Sequence, residues 1–133
     1  MRDIQSTLLY KWFNEVWNQG DENAIDRMMS DNSTTHGILP PNQPNGAEAF
    51  KLFFNDFRKQ FGDIRIEVED VICQDDVETA RTIVSAIHTE SGKPVTFSGI
   101  SMARLEGGKI AEAWNNYDFL NLYQQIGQKL SPA

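Results

Sequence analysis

Residues 107–120 of this 133-residue chain read GGKIAEAWNNYDFL, which predicts a tight turn, a strand and the start of a helix. The paired glycines suit the turn because glycine adopts backbone angles that other residues avoid. The strand carries Trp114 and ends at Asp118, and residues 119–127 have the spacing of an amphipathic helix. Asp118 therefore stands among aromatic residues at a strand-to-helix boundary. Burial beside aromatic rings raises the pKa of a carboxylate and suits it to act as a general acid or base.

Three further strands are predicted before this one. Apolar and polar residues alternate over residues 64–68, and residues 77–89 and 94–105 have the length and composition of two longer strands. Residues 74–76 and 90–93 are rich in turn-forming residues and separate these strands. Four consecutive strands joined by short turns predict an antiparallel meander.

The part of the chain before the strands predicts helices. Residues 3–18 place apolar side chains at helical spacing, and residues 21–29 fit a short second helix. Residues 31–39 are expected to be irregular or weakly extended, and the proline-rich residues 40–46 are expected to form a loop. A longer helix is predicted over residues 47–61. It has a stripe of phenylalanines on one face: Phe50, Phe53, Phe54, Phe57 and Phe61.

Helices, then a meander, then a closing helix indicate one α+β domain over residues 1–133, with its helices on one face of the sheet. A strongly twisted antiparallel sheet wrapped around a long helix would form a cone that is open at one end. We expect that cone to enclose a pocket lined by Trp12, Phe53 and Phe57. The other face or an edge of the sheet is left for a second copy, so a homodimer is expected.

The composition argues against several classes of protein. The formal net charge is −7 and the sequence pI is about 4.7, which disfavours both nucleic acids and anionic membrane surfaces as partners. Cys73 is the only cysteine, so neither an intrachain disulfide nor a cysteine-based metal site can form. The N-terminal residues lack the apolar run of a signal peptide, and no segment reaches membrane-spanning length. We therefore expect a soluble cytoplasmic protein.

Asp118 has two roles that the residues alone leave open. It precedes a helix and is a good N-cap, and strong capping hydrogen bonds would make it a poor base. It could equally face the pocket as a base. Strand alternation places it with Trp114 and Asn116, so both are expected beside it in the pocket.

The two histidines, His36 and His88, are further candidates for the pocket, although a lone histidine is more often structural. No close cluster of histidines and carboxylates occurs in the sequence, so no metal site is expected. Phosphate-binding glycine loops and the GxSxG nucleophile motif are also missing. No cofactor is therefore expected.

Five segments carry a resemblance to a known family: residues 16–21 (VWNQGD), 35–37 (THG), 92–99 (GKPVTFSG), 108–114 (GKIAEAW) and 118–127 (DFLNLYQQIG). Over nearly its whole length the chain resembles SnoaL-like polyketide cyclases, also called ester cyclases. These belong to the superfamily of nuclear transport factor two, ketosteroid isomerase and limonene epoxide hydrolase. The resemblance implies a cone-shaped, cystatin-like fold.

The resemblance also implies a cofactor-free intramolecular aldol ring closure. Asp118 would be its acid/base, His88 would help to hold the substrate carbonyl, and His36 would lie at the pocket edge. The chain departs from the family pattern in a shorter connection between His88 and Gly92. Ala86 and Ile87 also supply no polar partner beside His88.

The leading hypothesis is a small enzyme that acts on an apolar, carbonyl-bearing molecule. Asp118 would remove a proton next to the carbonyl, and His88 or Asn116 would stabilise the enolate oxygen. Ring closure, isomerisation and water addition all fit these residues. The alternative is a non-catalytic ligand-binding or dimeric interaction module of the same fold. Convergence of Asp118 and a histidine on an enclosed cavity would favour the enzyme.

Overall fold

The computed structural model describes residues 3–39 and 46–129, which form helices and a five-stranded sheet. The helices are α1 (Leu8–Trp12), which continues into a π-helical segment (Phe13–Asn18), α2 (Asn23–Met28), α3 (Ala47–Gln60) and α4 (Phe119–Gln125). The strands are β1 (Met29–His36), β2 (Phe61–Gln74), β3 (Val77–His88), β4 (Pro94–Glu106) and β5 (Lys109–Tyr117). A short 3-10 turn, Ile4–Ser6, precedes α1.

The sheet confirms the expected α+β cone with one correction. Its strands lie in the order β1-β5-β4-β3-β2, and β2 to β5 form the predicted antiparallel meander. However, β1 pairs in parallel with β5 and places His36 opposite Trp114, so the sheet is mixed. Residues 31–39 were expected to be irregular or weakly extended, and their first six residues belong to this paired strand. β1 consists mostly of polar residues and lacks the apolar alternation that identifies a strand in sequence.

The helices lie close to their predicted positions, with small shifts at their ends. Phe61 is the first residue of β2 instead of the last residue of α3, and its side chain is fully buried. The helix predicted over residues 3–18 is divided into the 3-10 turn, α1 and the π-helical segment. Apart from Gly46, the predicted loop at residues 40–46 lies outside the described residues.

The start of α1 is held by a carboxylate from the sheet. Glu78 on β3 is buried and accepts hydrogen bonds from the backbone N–H groups of Leu8, at 3.2 Å, and Leu9, at 2.8 Å. The hydroxyl of Thr7 accepts another from the N–H of Tyr10. These bonds satisfy N–H groups that have no partner within the helix, so α1 begins at a point fixed by β3.

The π-helical segment is hydrogen-bonded to β2, which lies at one edge of the sheet. The side-chain amide of Asn18 donates to the carbonyl of Ile66 at 2.9 Å and accepts from the N–H of Ile66 at 2.6 Å. One side chain thus pairs with the backbone of β2 as a neighbouring strand would. These two hydrogen bonds fix the position of the π-helical segment relative to the sheet.

The core lies between the helices and the inner face of the curved sheet. On β3, buried Ala80, Thr82 and Val84 alternate with the exposed residues Arg81 and Ser85. We call the side that carries the buried residues the inner face and the opposite side the outer face. Within residues 3–39 and 46–129, no helix combines the length and apolar character needed to cross a bilayer.

Candidate functional site

A cavity lies between the inner face of the sheet and the helices. Its volume is about 60 Å³, and it lies inside about 490 Å³ of empty space that includes its open mouth. Aromatic residues form most of its wall: Trp12, Phe13, Trp17, Phe50, Phe53, Phe57, Phe97, Tyr117 and Phe119. The remaining lining residues are Ile38, Ile64, Ile66, Val84 and Asn115.

The aromatic wall is built around Trp17. Its ring meets Phe50 and Phe53 edge to face at 6.3 and 6.1 Å between centroids, and Phe57 in the same way at 5.8 Å. The three phenylalanines follow the i, i+3, i+7 spacing of one helix face, so α3 presents them together. Edge-to-face packing of this kind fixes ring positions and gives the cavity a preformed shape.

A chain of hydrogen-bonded polar groups crosses the sheet at one side of the cavity. The hydroxyl of Tyr117 is 3.0 Å from that of Thr82 and 3.2 Å from that of Ser101. Ser101 donates to the side-chain oxygen of Asn115 at 2.8 Å, and the Asn115 amide donates to the backbone carbonyl of His36 at 3.1 Å. Asn115 and Tyr117 line the cavity, so this polar chain gives an otherwise apolar pocket one hydrogen-bonding side.

The position of Tyr117 depends on a glycine. Gly99 on β4 lies opposite Tyr117 on β5, and a Cβ atom at Gly99 would overlap the tyrosine ring. The missing side chain lets the ring lie flat against β4, where its hydroxyl reaches Ser101 and Thr82. Burial raises the pKa of Tyr117 above its ordinary value, while its hydrogen bonds with Ser101 and Thr82 act in the opposite direction. The phenol is therefore neutral near pH 7.

Three of the predicted pocket residues line the cavity, and three do not. Trp12, Phe53 and Phe57 are part of its wall. Trp114, Asn116 and His36 are not among the lining residues. The expected placement of Trp114 and Asn116 in the pocket is corrected by strand alternation, because the inner face of β5 carries Ala113, Asn115 and Tyr117.

His36 and Trp114 form a cluster of their own beside the pocket wall. Their rings stack at 5.5 Å with an interplanar angle of 16°. His36 Nε2 lies 2.8 Å from a carboxylate oxygen of Glu112, whose other oxygen is 3.6 Å from the guanidinium of Arg104. The His36 side chain is 45% exposed and does not line the cavity.

His88 and Asp118 have separate contacts, and neither lines the cavity. His88 Nδ1 pairs with the hydroxyl of Ser91 at 2.7 Å, and its ring packs against Phe61. Asp118 is exposed and accepts a hydrogen bond from the N–H of Asn121 at 3.1 Å as the N-cap of α4. The structure thus gives Asp118 the capping contact that the sequence left open, and it does not bring Asp118, His88 and His36 together on the cavity.

Strand alternation in the sequence already separated Asn115 and Tyr117 from Trp114, but the prediction placed Trp114 and Asn116 in the pocket. It did not select Ser101 or Thr82. One signal indicates that Asn115 and Tyr117 face the core. They lie on the same strand face as the small residue Ala113, opposite Trp114, and small residues favour the face that packs against helices. The prominence of Trp114 directed attention to the opposite face. No local pattern marks Ser101 or Thr82, since their role depends on the register of β3, β4 and β5.

Comparison with known proteins places this architecture in a family. The sequence profile of SnoaL-like polyketide cyclases matches residues 7–126. The chain belongs to this family. Among curated protein sequences, none matches it.

Solved structures of the family share the fold. A protein from Bacillus cereus ATCC 10987 named as a candidate polyketide cyclase is 33% identical, with a TM-score of 0.78 over 89% of this chain and 77% of the other. TsrD from Streptomyces laurentii is 20% identical, with a TM-score of 0.82 over 96% and 98% of the two chains. A SnoaL-like polyketide cyclase from Agrobacterium tumefaciens C58 is 19% identical, with a TM-score of 0.75 over 92% and 99%. The last two likenesses concern the fold alone.

Proposed function

We propose that this SnoaL-like chain binds a flat, mostly apolar small molecule that carries a carbonyl group. The observation that supports this most directly is the aromatic cavity with polar groups on one side only. Rings of the ligand would pack against the wall that Trp17 and the phenylalanines of α3 form together. Its oxygen would lie at the Asn115 and Tyr117 side, where burying an oxygen without a hydrogen-bond partner would otherwise cost affinity.

Binding can be tested with 1-tetralone and tetralin, which share a bicyclic skeleton and differ by one carbonyl oxygen. Trp12 and Trp17 line the cavity, so ligand entry should change tryptophan fluorescence. Trp114 does not line it, and a Trp114→Phe background removes that unrelated signal. We expect saturable binding of both probes, with tetralone the tighter.

A matched pair of variants locates the binding site. Val84 lines the cavity, whereas its neighbour Ile83 faces the other side of β3. Val84→Phe should fill the cavity and abolish binding, while Ile83→Phe should retain it. Circular dichroism would show that both variants are folded. Equal binding by the two variants would place the ligand elsewhere and contradict the proposal.

Acid/base turnover of the bound molecule is a second candidate function. One observation favours it: Asp118 lies in the chain between Tyr117 and Phe119, and both of these line the cavity. The backbone of Asp118 therefore lies next to the cavity wall, while its carboxylate is exposed and accepts from the N–H of Asn121. Proton removal would require the carboxylate to leave that contact and turn toward the ligand.

Exchange of the protons next to the carbonyl of 1-tetralone tests this second function without knowledge of the natural substrate. In deuterated water, NMR would follow loss of the C2 proton signals. A catalytic Asp118 predicts faster exchange with the wild type and a loss of about 10²- to 10⁴-fold of that acceleration in Asp118→Asn. Glu67→Gln, at an exposed position of β2, is the control. An unchanged rate in Asp118→Asn would remove this residue from the mechanism while leaving ligand binding intact.

A further inference from the structure

The hydrogen-bonded chain beside the cavity has a direction that its chemistry determines. The backbone carbonyl of His36 can only accept, so the Asn115 nitrogen must donate to it. This orients the amide and places its oxygen toward Ser101, whose only proton is then donated to Asn115. The orientation of each group follows from the one before it.

The same accounting fixes the protons of the next two groups. Because the Ser101 proton is already donated, the 3.2 Å contact between Ser101 and Tyr117 is a hydrogen bond only if Tyr117 donates. Tyr117 has one proton, so the 3.0 Å contact with Thr82 must then be donated by Thr82. Each of the four contacts in the chain then has one proton and one acceptor. If the Tyr117 hydroxyl donated to Thr82 instead, its contact with Ser101 would have no proton.

We infer that Ser101 determines the hydrogen-bonding character of the pocket by holding the Tyr117 proton away from the ligand. The donor available to a ligand is then the second N–H of Asn115, and the ligand group at this side is an acceptor such as a carbonyl oxygen. Ser101 and Tyr117 act as positioning residues, and Asn115 is the residue that determines specificity. This inference rests on the proposed function for the location of the ligand.

The sharpest test is a substitution that should improve binding. Ser101→Ala removes the acceptor of the Tyr117 proton, which becomes free to point into the cavity. The preference for 1-tetralone over tetralin, measured by tryptophan fluorescence, should rise about three- to tenfold, the effect of one additional buried hydrogen bond. Because the preference is a ratio for two probes of the same shape, a general loosening of the pocket would not raise it.

Two further variants complete the design. Thr82→Val removes a donor to Tyr117 but leaves the Tyr117 proton with Ser101, so the preference should stay within about twofold of the wild type. In the Ser101→Ala background, Tyr117→Phe removes the released hydroxyl and should cancel the gain in preference. A gain in Thr82→Val with none in Ser101→Ala would overturn the inference, because the proton would then lie toward Thr82.

A measurement without ligand separates failure of this inference from failure of the proposed function. In the wild-type protein, the hydroxyl proton of Tyr117 should show stronger nuclear Overhauser effects to the β protons of Ser101 than to the methyl group of Thr82. The reverse order would overturn the inference even if both probes bind. If neither probe binds the wild type, the proposed function fails for this ligand class, while the Overhauser effects still decide the direction of the hydrogen bonds.

Discussion

Gly99→Ala is the substitution that most directly tests how the pocket is assembled. The backbone of Gly99 does not have the positive φ that would exclude alanine, so the cost arises from contact alone. The new Cβ would overlap the Tyr117 ring and force it to move. Movement of the ring would break the hydrogen bonds of its hydroxyl with Thr82 and Ser101, both of which are buried.

The magnitude follows from these two effects. Overpacking in a core costs about 1–3 kcal/mol, and buried groups left without a hydrogen-bond partner add about 1–3 kcal/mol. Alanine restricts the unfolded chain more than glycine does, and this offsets about 0.4–1 kcal/mol of the loss. We expect the free energy of unfolding, measured by urea denaturation, to fall by about 2–4 kcal/mol. Gly62→Ala is the matched control, because a Cβ at Gly62 would be 3.7 Å from the nearest atom, a methyl group of Thr89.

A double-mutant cycle identifies the cause of the loss. In a Tyr117→Ala background the ring is gone, and Gly99→Ala should be neutral or slightly stabilising. Tyr117→Phe keeps the ring but not the hydroxyl, so there Gly99→Ala should retain only its overpacking cost. The reasoning is refuted if Gly99→Ala costs the same free energy with Tyr117 present and with alanine in its place.

Four further predictions concern stability, pH and assembly. Glu78→Gln should lower the free energy of unfolding by about 1–3 kcal/mol, since an amide replaces a carboxylate that accepts two N–H groups of α1; urea denaturation measures this. Asn18→Ala should cost about 1–3 kcal/mol through loss of both bonds to Ile66, and an unchanged denaturation midpoint would contradict it. The raised pKa of Tyr117 means that its contribution to stability is constant below the unfolded tyrosine pKa of 10.0 and is lost as pH rises above it, because the unfolded chain loses its proton first. Tyr117→Phe should flatten the decline in stability in denaturation experiments at pH 9–11. The homodimer stays a prediction, and if it forms through the outer face, Ile100→Asp at a 48% exposed position should yield monomers in light scattering.

Much of the fold could be predicted because periodic burial leaves a periodic sequence. The meander and the phenylalanine face of α3 follow from spacings of two and of three to four residues. β1 could not be predicted in this way, since its place in the sheet comes from parallel backbone pairing with β5 and not from its own polar side chains.

The site was harder to predict than the fold, for a physical reason. The aromatic wall depends on one helix and was found from its spacing alone, as Phe53 and Phe57 illustrate. The polar side depends on three strands in register, and Thr82, Ser101 and Tyr117 are far apart in sequence. Asp118 shows the remaining difficulty: a residue suited to cap a helix is also suited to be a base, and only its surroundings separate the two.

The π-helical segment Phe13–Asn18 gives the pocket an unusual tolerance of a change in chain length. Such a segment holds one residue more per turn than an α-helix does, so removing a single residue would allow it to relax to the commoner geometry. Each residue of an α-helix turns the chain by about 100°. Each residue of the π-helical segment turns the chain by less, so the loss of one residue upstream of Trp17 and the return to α-helical geometry would offset each other. The indole would then stay close to its present place in the wall. The segment can therefore lose one residue without loss of the aromatic wall.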